Sequence, residues 1–513
     1  MIVDRLLASA AALGLVLVPS AAAAQAEKPG SAYVQCDGQP DNVTDGETAA
    51  RLLGAVTLLG IFAPPHEAAD ASKRKFGAEG VAACTTLLSG ERAESNAKRR
   101  LGLILGRAIH QIEAKNYQAA IDDVALARRE AEAAGFMSDA YFVRSRARGF
   151  DRVESAALLR MGRAEDARSV SLRNSASSAH SMISLFSTPT YSDFILKQSG
   201  DEDRLTAWQT RIMPPLGGLR ADRLDLAGRF ADSARLRDAL VEFDSEQSPE
   251  LNSSLLIARA AVAHALAGDF AVAAQRATAA RANIDKRKAD GKPESNGAEV
   301  VELLDLYTIL DTAHSGDVKA ARRLFAARSQ WLSASLGSVM ETNRRLRDGA
   351  APEELIGSLA KSPEDLWKDR VESTRAELLA KDKDNKTLFS LVPAERSQKL
   401  YAAVARNVWR TDKSKIILVS KKADPSKNRM EIMYVGMTDP VVAMDAYLLH
   451  AALIARSRGH QGFVFMPYIS GNLIAGSFRS GNRGDRGFPP ELFIDANEVI
   501  ADLGRIIPEP VGS

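Results

Sequence analysis

The sequence predicts a mainly α protein, in which helical hairpins stack into an α-solenoid and a small C-terminal α/β or α+β domain follows. Three observations lead to this fold class. Residues 101–134 carry two runs of apolar side chains at helical spacing, similar glycine-centred turns recur further along, and strand-like runs replace helical ones after residue 388. Because a single hairpin cannot cover its own apolar stripe, one clear hairpin predicts several neighbours.

The first hairpin is the clearest unit of the chain. The apolar residues of its first helix are Leu101, Ile104, Leu105, Ala108, Ile109 and Ile112, and those of its second helix are Ala120, Ile121, Val124, Ala127 and Ala131. The polar pair Lys115 and Asn116 separates the two runs. Residues 96–381 are therefore predicted to be helical repeats.

Residues 101–134 resemble a tetratricopeptide repeat. That family places small residues where its two helices touch, an aromatic residue after the turn and a larger apolar residue one turn later. The small residues that fit are Ala108, Ala120 and Ala127, while Tyr117 takes the aromatic position and Val124 the larger apolar one. The first-turn aromatic and the closing proline of the family are missing. The resemblance implies close-packed hairpins that serve as a protein-binding scaffold.

Later hairpins are marked by turns in which glycine, a polar residue and an apolar residue follow one another. Phe230 and Phe270 are the apolar residues of two such turns, and Ala167, Ala273 and Ala321 take the small helix-contact position. Helical runs are expected over 233–243, 273–284 and 320–332, with a loop over 285–297. Equivalent positions lie further apart than the family's period of about 34 residues, so the repeats are lengthened.

The first helices of two hairpins are apolar on the face that lines the binding groove in the tetratricopeptide family. The residues on that face are Leu105, Ile109, Ile112, Leu255, Ala258, Val262 and Leu266. Helices that are apolar nearly all round are usually buried on both sides. A filled superhelix is therefore expected, with an open apolar groove as the alternative.

The N-terminus predicts export. Arg5 precedes an apolar run over residues 6–18, and small residues then offer cleavage after Ala24 or Ala26, so residues 1–26 read as a cleaved signal peptide. An uncleaved membrane anchor is the alternative, but the run is shorter than the roughly 20 residues that span a bilayer. The mature protein is expected to be soluble in the periplasm or secreted, without stable membrane insertion.

Residues 27–95 are predicted to form a helical cap with a disulfide. Cys36 and Cys84 are the only cysteines of the chain, and an oxidising compartment favours their pairing. Two unpaired buried thiols are the alternative. One cap helix is expected over 48–62 and another over 77–88.

Residues 388–513 have a different pattern. Strand-like runs cover 415–420, 429–435, 462–468 and 472–478, a helix is expected to open near Pro393, and another begins at Pro440 between the second and third strands. A strand, a crossover helix and a strand predict a parallel pairing.

The composition excludes several classes of function. Sixty-seven basic and 65 acidic side chains nearly cancel, which argues against nucleic-acid binding. No known nucleotide, hydrolase or zinc motif is present, so no catalytic, cofactor or metal residue is predicted. Packing or surface roles are expected for His110, His264 and His314. An acid-base site of His450 and His460 with Asp439 and Asp445 is a minor alternative.

Four arginines cluster after the first hairpin, at positions 144, 146, 148 and 152. They could bind a carboxylate or phosphate, but a solvated helix face paired with Asp139, Asp151 and Glu154 is the favoured interpretation.

The leading hypothesis is an exported, non-enzymatic scaffold that binds another protein. The alternatives are an enzyme whose site lies in the C-terminal domain and a structural envelope component.

Overall fold

The fold is described from a computed structural model of the chain. The residues that it describes are 30–41, 68–90, 93–176, 180, 200–247, 253–381, 388–410, 417–421, 431–435, 439–470 and 473–510. The predicted signal peptide and the helix expected over 48–62 lie outside these ranges.

The described chain is mainly helical. Its α-helices are α1 (Ala32–Asp37), α2 (Gly77–Leu88), α3 (Ala97–Glu113), α4 (Tyr117–Ala133), α5 (Ala140–Arg144), α6 (Arg148–Arg160), α7 (Ala164–Ala176), α8 (Gly200–Ile212), α9 (Gly217–Leu226), α10 (Phe230–Gln247), α11 (Ser254–Ala267), α12 (Phe270–Ala289), α13 (Gly297–His314), α14 (Val318–Ala327), α15 (Leu336–Arg347), α16 (Pro363–Lys381), α17 (Gln398–Trp409), α18 (Pro440–Ser457) and α19 (Ala496–Ile506). Short 3₁₀ helices cover Ala71–Lys73, Phe136–Ser138, Pro214–Leu216, Pro352–Glu354 and Gly357–Leu359. None of the helices in the described ranges is long and apolar enough to span a membrane.

Local sequence explains where the hairpin helices begin and end. The side chains of Asp269 and Asp317 accept hydrogen bonds from the backbone N–H groups of Val272 and Ala320, which caps the N-termini of α12 and α14. Gly268, at the end of α11, has φ 89°, a conformation that a side chain disfavours. The recurring glycine and aspartate therefore stop one helix and start the next.

Consecutive helices pack as hairpins: α3 on α4, α6 on α7, α9 on α10, α11 on α12 and α13 on α14. The first hairpin also contacts α6, α8 connects α7 to α9, and the fourth hairpin contacts both the third and the fifth. Apolar side chains from several helices meet in each of the main core clusters. The core is therefore built between hairpins as well as within them.

The disulfide is confirmed. Cys36 on α1 and Cys84 on α2 form it, with Cα atoms 4.8 Å apart, and both residues are fully buried. His110 on α3 faces the same place, with Nε2 2.6 Å from the carbonyl oxygen of Cys36 and Nδ1 2.6 Å from Oε2 of Glu113. The disulfide and this hydrogen-bond network together attach α1 and α2 to the first hairpin.

The strands form one antiparallel sheet. They are β1 (Ile417–Lys421), β2 (Glu431–Val435), β3 (Gly462–Ser470), β4 (Leu473–Gly481) and β5 (Ile494–Asp495), in the spatial order β1-β2-β4-β3-β5. The expected parallel pairing is wrong, because β4 lies between β2 and β3 and pairs antiparallel with both. The region is α+β rather than α/β.

Apolar side chains of the sheet region pack against helices of the repeat region. Trp208 and Ile212 of α8 join a core cluster with α17, α18 and the sheet, and Val464 of β3 joins another cluster with α9 and α10. Arg144 of α5 donates to Asp445 of α18 at 3.2 Å, and Tyr401 donates to the same carboxylate oxygen at 3.1 Å. Burial and Asp445 together raise the pKa of Tyr401. These groups fix α18 against the start of the second hairpin.

Three predicted helix bounds are wrong. α12 continues to Ala289, so the loop expected from residue 285 is shorter, and α17 begins at Gln398 rather than near Pro393. α14 ends at Ala327, where the chain becomes extended at Arg328, instead of continuing to Leu332. Tertiary contacts explain this last end, because Arg328 bonds to Asp305 of α13 and lies over the ring of Trp331.

Candidate interaction surface

The ten residues predicted to pack the hairpins lie in or against the core. Eight of them are buried, while Tyr117 and Phe270 are partly buried against the same clusters. The buried eight are Ala108, Ala120, Val124, Ala127, Ala167, Phe230, Ala273 and Ala321. Six of the seven apolar residues on the first-helix face are also buried, and Leu255 is partly buried. These side chains pack in the core clusters that join the hairpins.

The repeat-region histidines make structural contacts. His110 bridges Cys36 and Glu113 as described, Nε2 of His264 lies 2.9 Å from Asp238, and His314 stacks on the ring of Phe270 at 3.7 Å. The described part of the chain contains no group of three metal-ligating side chains.

The four residues of the minor acid-base alternative have separate partners. His450 is buried and its Nδ1 lies 2.7 Å from the carbonyl oxygen of Val408, and burial lowers the pKa of its imidazole. His460 contacts Ser480, Asp439 caps α18, and Asp445 accepts from Arg144 and Tyr401. Each side chain therefore has a local structural role.

The expected solvated face of four arginines is wrong. Arg144 and Arg148 are buried, and Arg148 donates to the carbonyl oxygen of Asn174. Arg146 and Arg152 each have a buried Nε without a hydrogen-bond partner. Burial lowers the pKa of Arg148 and of Arg152 to about 10.

The carboxylates expected to pair with these arginines have other partners. Asp151 and Glu154 bind Arg128 and Arg173, and Asp139 caps α5. The arginines are covered because residues 393–396 and α18 pack over the start of the second hairpin, where Arg396 donates its backbone N–H to Ser145.

The most exposed large apolar side chains occur in one part of the sequence. Among the described residues they are Leu332 (75% exposed), Ile356 (61%), Val301 (50%) and Leu324 (48%). Val301 and Leu324 belong to α13 and α14, the last of the consecutive hairpins, Leu332 lies between α14 and α15, and Ile356 follows α15. A hairpin at the end of a stack has no further hairpin to cover its outer face.

A cavity of about 370 Å³ opens on this hairpin. We call it the α13–α14 groove, and its lining residues are Asp305, Thr308, Ile309, Leu324, Ala327, Arg328 and Trp331. The Trp331 ring stacks on Phe325, with the ring centroids 5.3 Å apart. The Arg328 guanidinium lies 5.0 Å from the centroid of the Trp331 ring and donates a hydrogen bond to Asp305. The groove thus has an aromatic and aliphatic floor with an ion pair at its edge.

Trp331 also has an unpaired hydrogen-bond donor. Its indole Nε1 is buried and has no partner in the described chain. A buried donor without an acceptor is costly. The groove is therefore an apolar pocket whose tryptophan carries this unpaired, buried N–H.

Sequence reasoning missed this surface. Trp331 and Leu332 fit the helical spacing of α14 and were expected to continue that helix into the core. Only the extended conformation at Arg328 places Trp331 in the groove and leaves Leu332 exposed.

Comparison with family models, curated proteins and solved structures finds no match to this chain.

Proposed function

We propose that this protein is an exported, non-catalytic scaffold, an α-solenoid of tetratricopeptide-like hairpins that binds another polypeptide through the α13–α14 groove. The proposal depends mainly on one observation, a cavity on the α13–α14 hairpin that is lined by the half-exposed Leu324 together with Ile309 and Trp331. Apolar patches of this kind on a soluble protein mark interaction sites.

The order of helix contacts supports the repeat architecture. Each hairpin packs on the next, either directly or through α8, and small side chains such as Ala273 and Ala321 occupy the helix contacts. Export is supported by the N-terminal pattern of an apolar run followed by small residues, and by the Cys36–Cys84 disulfide, which oxidising compartments favour.

The groove limits the chemistry of the partner. A volume of about 370 Å³ accommodates a large apolar side chain. The proposed partner is therefore a polypeptide segment with an exposed large apolar residue. The Arg328–Asp305 pair at the rim adds little affinity, because exposed ion pairs contribute little.

Site-specific photocrosslinking in cells tests the proposal. A benzophenone amino acid replaces the exposed Leu332, which follows the groove residue Trp331 in the chain, and, as a matched control, Met137, which is 38% exposed on a different hairpin connection. We expect one discrete polypeptide adduct from position 332 and none from position 137. Adding Leu324→Glu should remove the adduct without lowering the melting temperature, because Leu324 is half exposed.

Three results would contradict the proposal: no adduct from position 332, equal adducts from both positions, or an adduct that survives Leu324→Glu. N-terminal sequencing of the protein recovered from the cell envelope tests export separately, since the mature chain should begin after Ala24 or Ala26.

A further inference from the structure

A larger cavity lies at the other end of the helical region, away from the α13–α14 groove. It has a volume of about 670 Å³, and we call it the N-terminal cleft. Its lining residues are Asp37, Gln39, Pro40, Asp41, Arg74, Asn96, Lys98, Arg99, Gly102, Gly106, Arg146, Phe389, Val392, Ala394 and Glu395. This volume is in the range of pockets that hold small organic molecules.

Two of the four basic side chains in the N-terminal cleft are neutralised. Arg99 donates from both terminal nitrogens to the carboxylate of Asp37, at 2.5 and 2.9 Å. Lys98 binds Glu395 at 2.5 Å. Both charges are therefore paired within the protein.

Neither of the other two basic side chains forms a salt bridge within the described part of the chain. Glu113 and Asp37 act electrostatically on Arg74, and Glu395 and Asp37 act on Arg146. Arg74 donates only to the carbonyl oxygen of Ala71, at 3.2 Å, and its guanidinium lies flat over the Phe389 ring at 4.0 Å. Arg146 has a buried Nε that no acceptor reaches. Burial lowers the pKa of both guanidiniums, which reflects the cost of holding these charges away from water.

α3 contributes Gly102 and Gly106, one turn apart, to the lining of the cleft. A Cβ on Gly106 would lie 3.2 Å from the Cβ of Asp37, so the absence of a side chain lets α1 pack closely on α3. The N-cap residue Asn96 also lines the cleft, and the first turn of α3 contains no acidic residue. The positive end of this 17-residue helix therefore adds to the favourable potential for an anion.

Charge and wall composition define the ligand class. Four basic and three acidic side chains line the cleft, so it has one net positive charge and suits a monoanion better than a dianion. Pro40, Val392 and Ala394 provide an apolar wall. A guanidinium binds a planar carboxylate through two parallel hydrogen bonds.

We propose that the N-terminal cleft binds a small organic monocarboxylate, with its carboxylate held by Arg146 and Arg74 and its apolar part against Val392 and Ala394. This site is separate from the α13–α14 groove and does not depend on the protein-binding role. A carboxylate would form direct ion pairs with these two arginines, which an uncharged molecule of the same shape cannot do.

Calorimetric titration and thermal unfolding of the mature, oxidised protein test the site. The probe is 4-phenylbutyrate, its neutral isostere is 4-phenylbutyramide, and succinate and inorganic phosphate are the dianion controls. We expect 4-phenylbutyrate to bind and raise the melting temperature, and each control to bind at least tenfold more weakly. No binding of 4-phenylbutyrate, equal binding of the amide, or tighter binding of succinate or phosphate would overturn the proposal.

The variant Arg146→Gln separates ligand binding from a structural role. If Arg146 serves a ligand, the variant removes a buried charge that has no direct salt bridge in the free protein. The free protein should then keep or gain stability while its affinity for 4-phenylbutyrate falls at least tenfold. Arg235→Gln, on the exposed surface of α10, should change neither property. Unchanged affinity in Arg146→Gln, or lower stability of the free variant, would contradict the assignment.

Discussion

The substitution Gly80→Ala tests how the N-terminal helices pack, because two effects of the same methyl group oppose each other. Gly80 lies inside α2, where alanine normally stabilises a helix by about 1 kcal/mol relative to glycine. A Cβ at this position would come closer than 3.0 Å to Nδ1, Cγ and Cε1 of His110. The imidazole must therefore move to admit the methyl group.

The free energy of unfolding should fall because the ring is held on both sides. Moving it breaks the hydrogen bond to the Glu113 carboxylate, which contributes about 1.5 to 3 kcal/mol, and the bond to the Cys36 carbonyl, which contributes about 1 kcal/mol. After the helix-propensity gain of about 1 kcal/mol is subtracted, Gly80→Ala should destabilise the protein by about 1.5 to 3 kcal/mol.

Urea unfolding of the oxidised protein, followed by far-ultraviolet circular dichroism, measures this change. The matched control is Gly504→Ala in α19, where the new Cβ makes ordinary contact with Trp409 at 3.6 Å and should stabilise by about 0.5 to 1 kcal/mol. In a His110→Ala background, Gly80→Ala should no longer destabilise, because the obstructing ring is gone. A stabilising effect of Gly80→Ala in the wild-type background would refute the argument.

Three further predictions concern the disulfide, a buried histidine and a turn. Replacing Cys36 and Cys84 by alanine releases a loop with a sequence separation of 48, so the free energy of unfolding in urea should fall by about 4 kcal/mol, and a loss below about 1 kcal/mol would contradict this. Burial lowers the pKa of His450 below its usual 6.5, so below that pH the unfolded chain binds more protons than the folded one. The free energy of unfolding should therefore fall as the pH drops below 6.5, by at most about 1.4 kcal/mol per pH unit. The variant His450→Asn can still donate to the carbonyl oxygen of Val408 and should reduce that pH dependence. Urea midpoints are measured at pH 7.5 and 5.5, and an equal shift in the wild type and the variant would contradict the prediction. Gly268→Ala should lower the free energy of unfolding by about 1 kcal/mol, because φ at this position is 89° even though no atom lies within 4 Å of the new Cβ. Gly268→Asn should lower it less, and equal urea midpoints for the two variants would count against backbone strain.

The sequence by itself determined the features that depend on short-range geometry. Apolar spacing placed the helices of the first hairpin, and the glycines after several helices adopt positive φ because those turns require it. The presence of only two cysteines left a single intramolecular pairing, which the structure confirms. Each of these features follows from the preferences of a few neighbouring residues.

Only the tertiary structure decided how distant segments meet. β4 lies between β2 and β3, an arrangement that strand propensity leaves open because it does not specify a neighbour. Arg144 is buried against α18 and Arg148 against Asn174 of α7, although the charged sequence alone indicated a solvated face. Trp331 reached the groove because Arg328 bonds to α13, so a contact between helices outweighed the local helical pattern.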